Sequence, residues 1–250
     1  MRVYDDIFLY TEDDLDKEFY AKFEDKFCLR GFGYWVWKPQ VILQTLSKME
    51  EGDIVQYSDI GCHFNKRGRS RLLEYFETTK NERTGILCFT AIDCTEKQHT
   101  KGDLFDYFNI RNNESIFPEQ IVATTIFTRK CEKSMEIIRN WLQVFYDDFH
   151  LVDDSPSRNA NFDEFIENRH DQSVLSILAK INNVAKLDYA EQVRLFSDDP
   201  IWAIRDRYKF PLPISKIVHL LGLPLKKILP MSMFIKLKQS IWAFLLQFKV

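Results

Sequence analysis

Glycine and proline are scarce in this chain, with only eight of each among 250 residues. That scarcity excludes collagen-like sequence and glycine- or proline-rich low-complexity sequence. By contrast, 45% of the residues are hydrophobic and 14% are aromatic, which is more than a disordered chain carries. A chain of this length and composition can bury a sizeable core, so we expect one large α/β domain, or one domain with an appendage.

Cysteine is also sparse, and its spacing excludes two kinds of site. The five cysteines form no CxxC pair and no zinc-type spacing with histidine. The N-terminal segment MRVYDDIFLY has neither the charged region nor the apolar region of an export signal. We therefore expect reduced thiols in a cytoplasmic protein, most of them filling the core.

The motifs of several enzyme classes are missing. The sequence contains no P-loop, no dinucleotide-binding glycine fingerprint, no GxSxG elbow and no HExxH pair. A metal-dependent phosphohydrolase is disfavoured as well, because no two acids at strand ends show the spacing of a two-metal site.

Charge is distributed unevenly, although the net charge is only −3. From Arg205 to the C-terminus the chain has nine Lys/Arg and one Asp, a net charge of +8 that leaves −11 in residues 1–204. The apolar runs of this tail are too short and too charged for a spanning helix. Trp242, Phe244 and Phe248 among lysines are typical of a helix in a bilayer interface, and packing on the body is the alternative. Because the body is acidic, we expect no nucleic-acid partner.

The hydrophobic pattern alternates between strands and helices. Strands are predicted over residues 6–10, 54–60, 85–92 and 121–128, and helices over residues 16–27, 41–49, 69–77, 131–148 and 174–181. Alternation of this kind predicts an α/β fold with a mixed, mostly parallel sheet flanked by helices. We expect this domain to span residues 1–204 and a basic, apolar helical tail to span residues 205–250.

The segment GDIVQYSDIGC is predicted to be a buried strand that ends at an acid. Ligands of open α/β sheets bind outside the carboxyl ends of strands. Asp59 at that end can hold a ribose hydroxyl or a divalent cation, while Gly61 lets a ligand approach the backbone. An aspartate that caps a turn is the structural alternative, and it is the commoner case for an isolated Asp-x-Gly.

The segment RHDQS precedes the predicted helix 174–181. Asp171 lies where a helix N-cap is expected, and capping is therefore its structural interpretation. The cluster also contains His170 and Gln172, so it can orient a hydroxyl nucleophile, accept its proton or ligate a metal through neutral imidazole. The residues alone favour neither reading.

The segment GYWVWKP is predicted to be extended at Lys38, because Pro39 disfavours a helix for the residue before it. Trp37 could then stack on a base or sugar while Lys38 provides a cation for phosphate. Packing of Trp35 and Trp37 in the core is the alternative.

Two loops supply further polar candidates. HTKGDLF brings Lys101 and Asp103 together beside Gly102, in a form suited to phosphate or sugar hydroxyls, with a surface turn as the alternative. DDSPSRN contains Asp153 and Asp154 and is a candidate acceptor-side lid, with a solvated turn as the alternative.

In their order along the chain, these segments resemble a bacterial family of capsule and O-antigen glycosyltransferases. The blocks that carry the resemblance cover roughly residues 4–180 and are RGFGYWVWKPQVIL, GDIVQYSDIGC, RLLEYF, TKGDLFDYF, Gln120, DDSPS and ENRHDQSVLSIL. The resemblance implies the GT-A fold of nucleotide-sugar transferases. It places Asp59 at the nucleotide-sugar, in the position of the DxD motif. It also implies that His170, Asp171 and Gln172 contact the donor sugar, the acceptor or a metal.

The chain departs from the pattern of this family at three points. Gly61 stands where the second acid of DxD is expected, and Asn168 stands where relatives often have a histidine. Relatives usually begin with an additional strand and helix before the segment that matches VYDDIFLY. The strand that holds the nucleotide base is therefore expected to be missing, or the nucleotide site to be built differently.

The resemblance implies a hexosyltransferase of surface polysaccharide synthesis at the inner face of the cell membrane. It would move a sugar, by analogy galactose or galactofuranose from a UDP donor, to a lipid-linked or polysaccharide acceptor. For a reaction that inverts the anomeric configuration, Asp171 is the expected general base, with His170 orienting it or ligating a metal. Asp59 and His170 are the candidate ligands of Mn²⁺ or Mg²⁺.

The remaining candidates complete this hypothesis. Lys38 and Lys101 would offset phosphate charge, and Trp37, Asp103 and Gln172 would contact the donor. The tail would keep the enzyme at the membrane surface. The alternative function is a catalytically inactive GT-A-like protein that binds a glycan or a partner transferase.

Overall fold

A computed structural model describes residues 3–194 and 197–203 of the chain. The chain divides into two compact units. The described part of the larger unit comprises residues 3–58 and 73–188, and that of the smaller unit comprises residues 59–72, 189–194 and 197–203. The predicted tail, residues 205–250, lies outside the described residues. Within the described residues, no helix combines the length and the apolar character needed to cross a membrane.

The larger unit contains a four-stranded sheet in the order β1-β4-β3-β5. Its strands are β1 (Ile54–Ser58), β3 (Ile86–Thr95), β4 (Glu119–Arg129) and β5 (Ala185–Asp188). β4 pairs antiparallel with both β1 and β3, and only β5 runs parallel to its neighbour, β3. The α/β class and the mixed sheet are confirmed. The expectation of a mostly parallel sheet is wrong, because β4 runs antiparallel to both of its neighbours and the sheet has one parallel pair, β3 with β5.

Helices flank this sheet. They are α1 (Lys17–Phe23), α2 (Arg30–Tyr34), α3 (Trp37–Ser47), α4 (Arg69–Asn81), α5 (Glu96–His99), α6 (Gly102–Tyr107), α7 (Glu132–Asp147) and α8 (Asp171–Ile181). Phe89 and Phe127 contact Tyr75 of α4, whereas Cys88 and Ile126 belong to the core that also contains residues of α7 and α8. Neighbouring residues of a strand point to opposite faces, so helices cover both faces of the sheet.

The predicted helices over residues 69–77, 131–148 and 174–181 are confirmed, with ends shifted by a few residues. The predicted strand over residues 6–10 is wrong. Its apolar residues do not reach a core, since Ile7 and Leu9 are 78% and 82% exposed. Burial of the strand 54–58 is also lower than expected: β1 lies at the edge of the sheet and its residues are half-buried.

The expected extended conformation of Lys38 is wrong, because α3 begins at Trp37. Pro39 lies in the first turn of this helix, where a backbone N–H has no partner within the helix, so its missing donor is not costly. Lys38 therefore lies on a helix at the core of the larger unit instead of on an extended segment.

The segment α2 is not a regular right-handed helix, because a left-handed turn occupies most of it and leads into α3. All five residues from Gly31 to Trp35 have positive φ, between 51° and 78°. Each non-glycine residue in this conformation costs roughly 1–2 kcal/mol, and three of the five are Phe32, Tyr34 and Trp35. A Cβ atom on Gly31 would lie 2.6 Å from the Trp35 ring. The turn therefore depends on its glycines and must be compensated by the contacts that its aromatic residues make.

The smaller unit has its own short antiparallel pair, β2 (His63–Phe64) with β6 (Ile201–Trp202), and a short helix, α9 (Ala190–Val193). Arg71 forms a bidentate ion pair with Glu191, with both N···O distances 2.8 Å. Asp59 and Gly61 belong to this unit, where the Asp59 carbonyl accepts the Cys62 N–H at 2.9 Å.

Candidate functional site

A buried ion pair joins two of the predicted site residues. Lys38 Nζ lies 3.0 Å from Asp171 Oδ2, and the two side chains are 6% and 5% exposed. Lys38 also donates to the Ala123 carbonyl at 3.2 Å, and Trp141 Nε1 donates to the Asp171 carbonyl at 2.9 Å. The Lys38 ammonium, predicted to offset phosphate, is thus bound to a carboxylate and a carbonyl of the larger unit.

His170 immediately precedes this pair. It is the N-cap of α8, and Asp171 is the first helical residue, so the prediction that Asp171 caps the helix is wrong by one position. The His170 Nδ1 atom is 2.6 Å from the Val152 carbonyl oxygen, which can only accept, so Nδ1 carries the proton. Burial lowers the pKa of His170, while the Val152 carbonyl and the Asp154 carboxylate oppose that effect. The ring is therefore neutral at pH 7 and its Nε2 is unprotonated.

The unprotonated nitrogen faces a carboxylate. His170 Nε2 is 3.5 Å from Asp154 Oδ1, and it makes no hydrogen bond within the described residues. Both atoms are acceptors, so they cannot hydrogen-bond to each other in this protonation state. A hydroxyl group that enters here would donate to one or both of them. The structure thus brings the predicted catalytic histidine and the predicted acceptor-side acid together.

The left-handed turn packs against the same histidine. The ring centroids of Tyr34 and Trp35 are 4.7 Å and 5.6 Å from that of His170. The Tyr34 hydroxyl interacts with the backbone N–H and the carboxylate of Asp154, and burial raises the pKa of Tyr34. Arg30 lies 3.8 Å from the same carboxylate. His170 itself has a φ of 56°. Strained backbone of this kind is concentrated at functional sites.

Sequence reasoning missed Tyr34 and Arg30. The two glycines of RGFGYW were a signal of an unusual turn, since glycine adopts positive φ without steric cost. Which side chains the turn would bring to Asp154 depends on three segments far apart in the sequence, and no local pattern specifies that.

Lys101 and Asp103 hold the loop that contains Asp153 and Asp154. Lys101 is 2% exposed, and its Nζ donates to Asp153 Oδ1 at 2.8 Å and to the His150 carbonyl at 2.7 Å. Asp103 accepts the backbone N–H groups of Arg158 and Asn159 at 2.9 and 2.8 Å. Both residues were predicted to contact the donor. In the structure their hydrogen bonds fix the conformation of residues 153–159.

Replacing Asp103 with asparagine should destabilise this loop in a pH-dependent way. Burial alone would raise the pKa of Asp103, but the backbone N–H groups of Arg158 and Asn159 and the His150 ring outweigh it, so the pKa is lowered. A lowered pKa stabilises the fold above the unfolded value, near 3.9, and the contribution is lost as pH falls through the folded pKa. We expect a loss of about 1–3 kcal/mol at pH 7 that shrinks towards pH 4 and below.

Urea unfolding of the wild type and of Asp103→Asn across this pH range measures the difference. Asp13→Asn is the control, since Asp13 is exposed in a short helical turn. It should change the free energy of unfolding by less than about 0.5 kcal/mol. A loss for Asp103→Asn that stays constant down to pH 3 would contradict the assigned role.

An open pocket lies beside this loop. Its volume is about 510 Å³, which is within the usual range for a small-molecule site. The lining is mostly acids, amides and hydroxyls, contributed by Lys101, Asp153, Asp154, Ser155, Pro156, Ser157, Asn159, Ala160, Asn161, Phe165, Ile166, Glu167 and Asn168. Such a lining suits a ligand with many hydroxyl groups.

The structure places the other predicted donor contacts in supporting positions. Gln172 Nε2 donates to Gln120 Oε1 at 2.8 Å, and Gln120 in turn donates to the buried Glu96. Trp37 Nε1 donates to the Gly31 carbonyl at 3.0 Å and so stabilises the left-handed turn. Asp59 and Gly61 belong to the other compact unit.

The described residues do not assemble a metal-ligand set. Within residues 3–194 and 197–203, no group of three or more His, Cys, Asp or Glu side chains could hold a metal ion. His170 Nε2 lies 3.5 Å from Asp154 Oδ1, and Asp59 belongs to the smaller unit. The described residues at His170 therefore do not fit Mn²⁺ or Mg²⁺, which need several oxygen ligands.

We compared the chain with models of protein families, with curated proteins and with solved structures, and no match was found in any of the three comparisons. The family resemblance that the sequence blocks suggest therefore stays a prediction.

Proposed function

We propose that the protein is a glycosyltransferase with a GT-A-type architecture, which moves a sugar from a nucleoside-diphosphate donor to a glycan hydroxyl. One observation carries the proposal: the unprotonated Nε2 of His170 faces Asp154, which lines the polar pocket of about 510 Å³. A base, a carboxylate and a hydroxyl-binding pocket are the parts that activation of a sugar hydroxyl requires. The donor class, a nucleoside-diphosphate sugar, is inferred from the family that the ordered sequence blocks resemble.

In this proposal His170 is the general base. The acceptor hydroxyl oxygen attacks the anomeric carbon of the donor, the bond from that carbon to the diphosphate oxygen breaks, and the hydroxyl proton goes to His170 Nε2. The Val152 carbonyl keeps Nδ1–H in place, and the Asp154 carboxylate stabilises the imidazolium that forms. The nucleoside diphosphate leaves with the bonding electron pair.

We assign the base role to His170 instead of Asp171, which the sequence favoured. The Asp171 carboxylate lies 3.0 Å from the Lys38 ammonium in a buried pair. An adjacent cation favours the ionised carboxylate and makes it a weaker base. Asp171 instead positions the start of α8, and with it His170.

A screen of nucleotide sugars tests this proposal. Purified full-length protein is incubated with UDP-, GDP-, dTDP- and CMP-sugars, with and without Mn²⁺, and both binding and release of the nucleotide are measured. We expect one donor class to bind and to be hydrolysed slowly or transferred. Sugar binding without any nucleotide binding would contradict the transferase and identify a glycan-binding protein.

The basic C-terminal tail supports a position at a membrane surface in this proposal. Its net charge of +8 would attract anionic lipids and keep the enzyme near a lipid-linked acceptor. The full chain should sediment with anionic vesicles and less with zwitterionic vesicles. Replacing Lys226, Lys227, Lys236 and Lys238 with glutamine should release it, and unchanged sedimentation would remove the tail from the proposal.

A further inference from the structure

Asn168 lines the polar pocket and has an unused hydrogen-bond acceptor. The residue is 5% exposed. Its Nδ2 donates to the Leu151 carbonyl at 3.3 Å, which fixes the orientation of the amide because a carbonyl cannot donate. Its Oδ1 is buried and has no hydrogen-bond partner within the described residues. A buried acceptor without a donor is uncommon in folded proteins and calls for an explanation.

A second unused acceptor lies two residues further along the chain. His170 Nε2 is also buried and without a hydrogen-bond partner within the described residues, and it faces Asp154. Asn168 lines the pocket, whereas His170 is next to it through Asp154, which also lines the pocket. Unsatisfied acceptors at these positions favour a ligand that donates hydrogen bonds. A sugar hydroxyl can do so, whereas a carboxylate or a phosphate ester without protons cannot.

The charges around the pocket also favour an uncharged ligand. Three carboxylates line it, those of Asp153, Asp154 and Glu167, against a single ammonium, that of Lys101. The ammonium is already bound to Asp153 at 2.8 Å. Arg30 and Arg169 lie outside the lining, 3.8 Å from Asp154 and 2.9 Å from Glu167. The nearest charges that a ligand in the pocket would meet are therefore the carboxylates of the lining, which repel an anionic ligand and leave an uncharged one unaffected.

We propose that this pocket binds an uncharged hexopyranose of the acceptor glycan, with Asn168 Oδ1 accepting one of its hydroxyls, and that it selects against uronic acids. The proposal rests on the proposed function, since it names the acceptor class of the same site. Asn168 determines affinity for the hydroxyl pattern, and the pocket acids determine the discrimination by charge.

Direct sugar binding tests the proposal without any transfer reaction. The full chain is titrated with methyl galactoside and with the matched methyl galacturonate at pH 7, and binding is followed by ligand-observed NMR. We expect the galactoside to bind and the galacturonate to bind at least about tenfold more weakly. Equal binding of the two sugars, or no binding of the galactoside, would overturn the inference.

Two variants separate the two parts of the proposal. Asn168→Ala should weaken galactoside binding by about tenfold, because one hydrogen bond is lost. Glu167→Gln removes a half-buried carboxylate and with it the ion pair to Arg169, so it should strengthen galacturonate binding with little effect on the galactoside. Unchanged affinities in Glu167→Gln would contradict the role of the pocket charge even if Asn168→Ala proved unstable.

Ile166→Val is the matched control, since Ile166 also lines the pocket but has no hydrogen-bonding group. It should bind both sugars as the wild type does. Nucleotide binding is measured on the same samples. A chain that binds UDP but no galactoside would refute this inference and leave the transferase standing, whereas one that binds galactoside but no nucleotide would do the reverse.

Discussion

Replacing Lys38 with methionine should lower the free energy of unfolding by about 3–5 kcal/mol, which is a large fraction of the stability of a typical domain. The reason is the Asp171 carboxylate, which is 5% exposed and lies 3.0 Å from the lost ammonium. Without Lys38, a buried negative charge would remain beside the first turn of α8. Denaturant unfolding, with intrinsic tryptophan fluorescence as the signal, measures the change.

The double variant Lys38→Met with Asp171→Leu distinguishes an unpaired charge from lost packing. Replacing both partners of a buried pair with apolar residues is often neutral, so most of the stability should return. Lys133→Met is the control, because Lys133 pairs with Glu136 at a similar 3.0 Å but both side chains are 33% or more exposed. It should cost less than about 1 kcal/mol. A double variant as unstable as Lys38→Met would contradict the explanation.

The elements of the fold with the clearest local patterns were predictable. The buried amphipathic helix α7 and the β-branched strand β4 follow from hydrophobic periodicity, which is a local property of the chain. The directions in which the strands pair were not predictable, because they depend on the path of the connections between the strands. The exposed segment 6–10 shows the same limit: its short run of apolar residues resembles a strand, but a strand needs a neighbour to pair with.

The candidate site was predictable in its residue types and less so in their roles. The cluster RHDQS indicated His170, and the acidic loop indicated Asp154, but nothing in the sequence indicated that the two would lie 3.5 Å apart. Lys38 and Lys101 show a second limit. Each was expected to contact phosphate because it is a cation in a polar motif, yet each is bound to a buried or half-buried carboxylate. Which carboxylate a lysine meets is decided by tertiary packing.

The left-handed turn is part of both the fold and the candidate site. The strain of its positive φ values is offset by contacts of Tyr34 and Trp35 with His170, so the fold and the site depend on the same residues. A glycine pattern can suggest such a turn but cannot identify the ring against which it packs. For this reason each variant of a site residue must be assayed well below its own unfolding temperature.

We expect His170→Asn to lower transfer turnover by about 10²–10⁴-fold. It should also lower the unfolding temperature, because it removes the ring against which Tyr34 and Trp35 pack. The asparagine amide can still donate to the Val152 carbonyl, which the His170 Nδ1–H does at 2.6 Å. Asparagine also tolerates the positive φ of 56° better than most residues. What it lacks is an unprotonated ring nitrogen facing Asp154. Initial rates with the donor found in the screen measure the effect.

Tyr34→Phe separates loss of the base from disturbance of its surroundings. The phenylalanine ring can keep the contact with the His170 ring, and only the hydroxyl that interacts with Asp154 is removed. If His170 is the base, Tyr34→Phe should reduce turnover much less than His170→Asn, with each variant assayed well below its own unfolding temperature. Equal losses in the two variants, or near wild-type turnover in His170→Asn, would remove His170 from the chemistry. In that case His170 serves only a structural role, through its contacts with the Val152 carbonyl and with the rings of Tyr34 and Trp35.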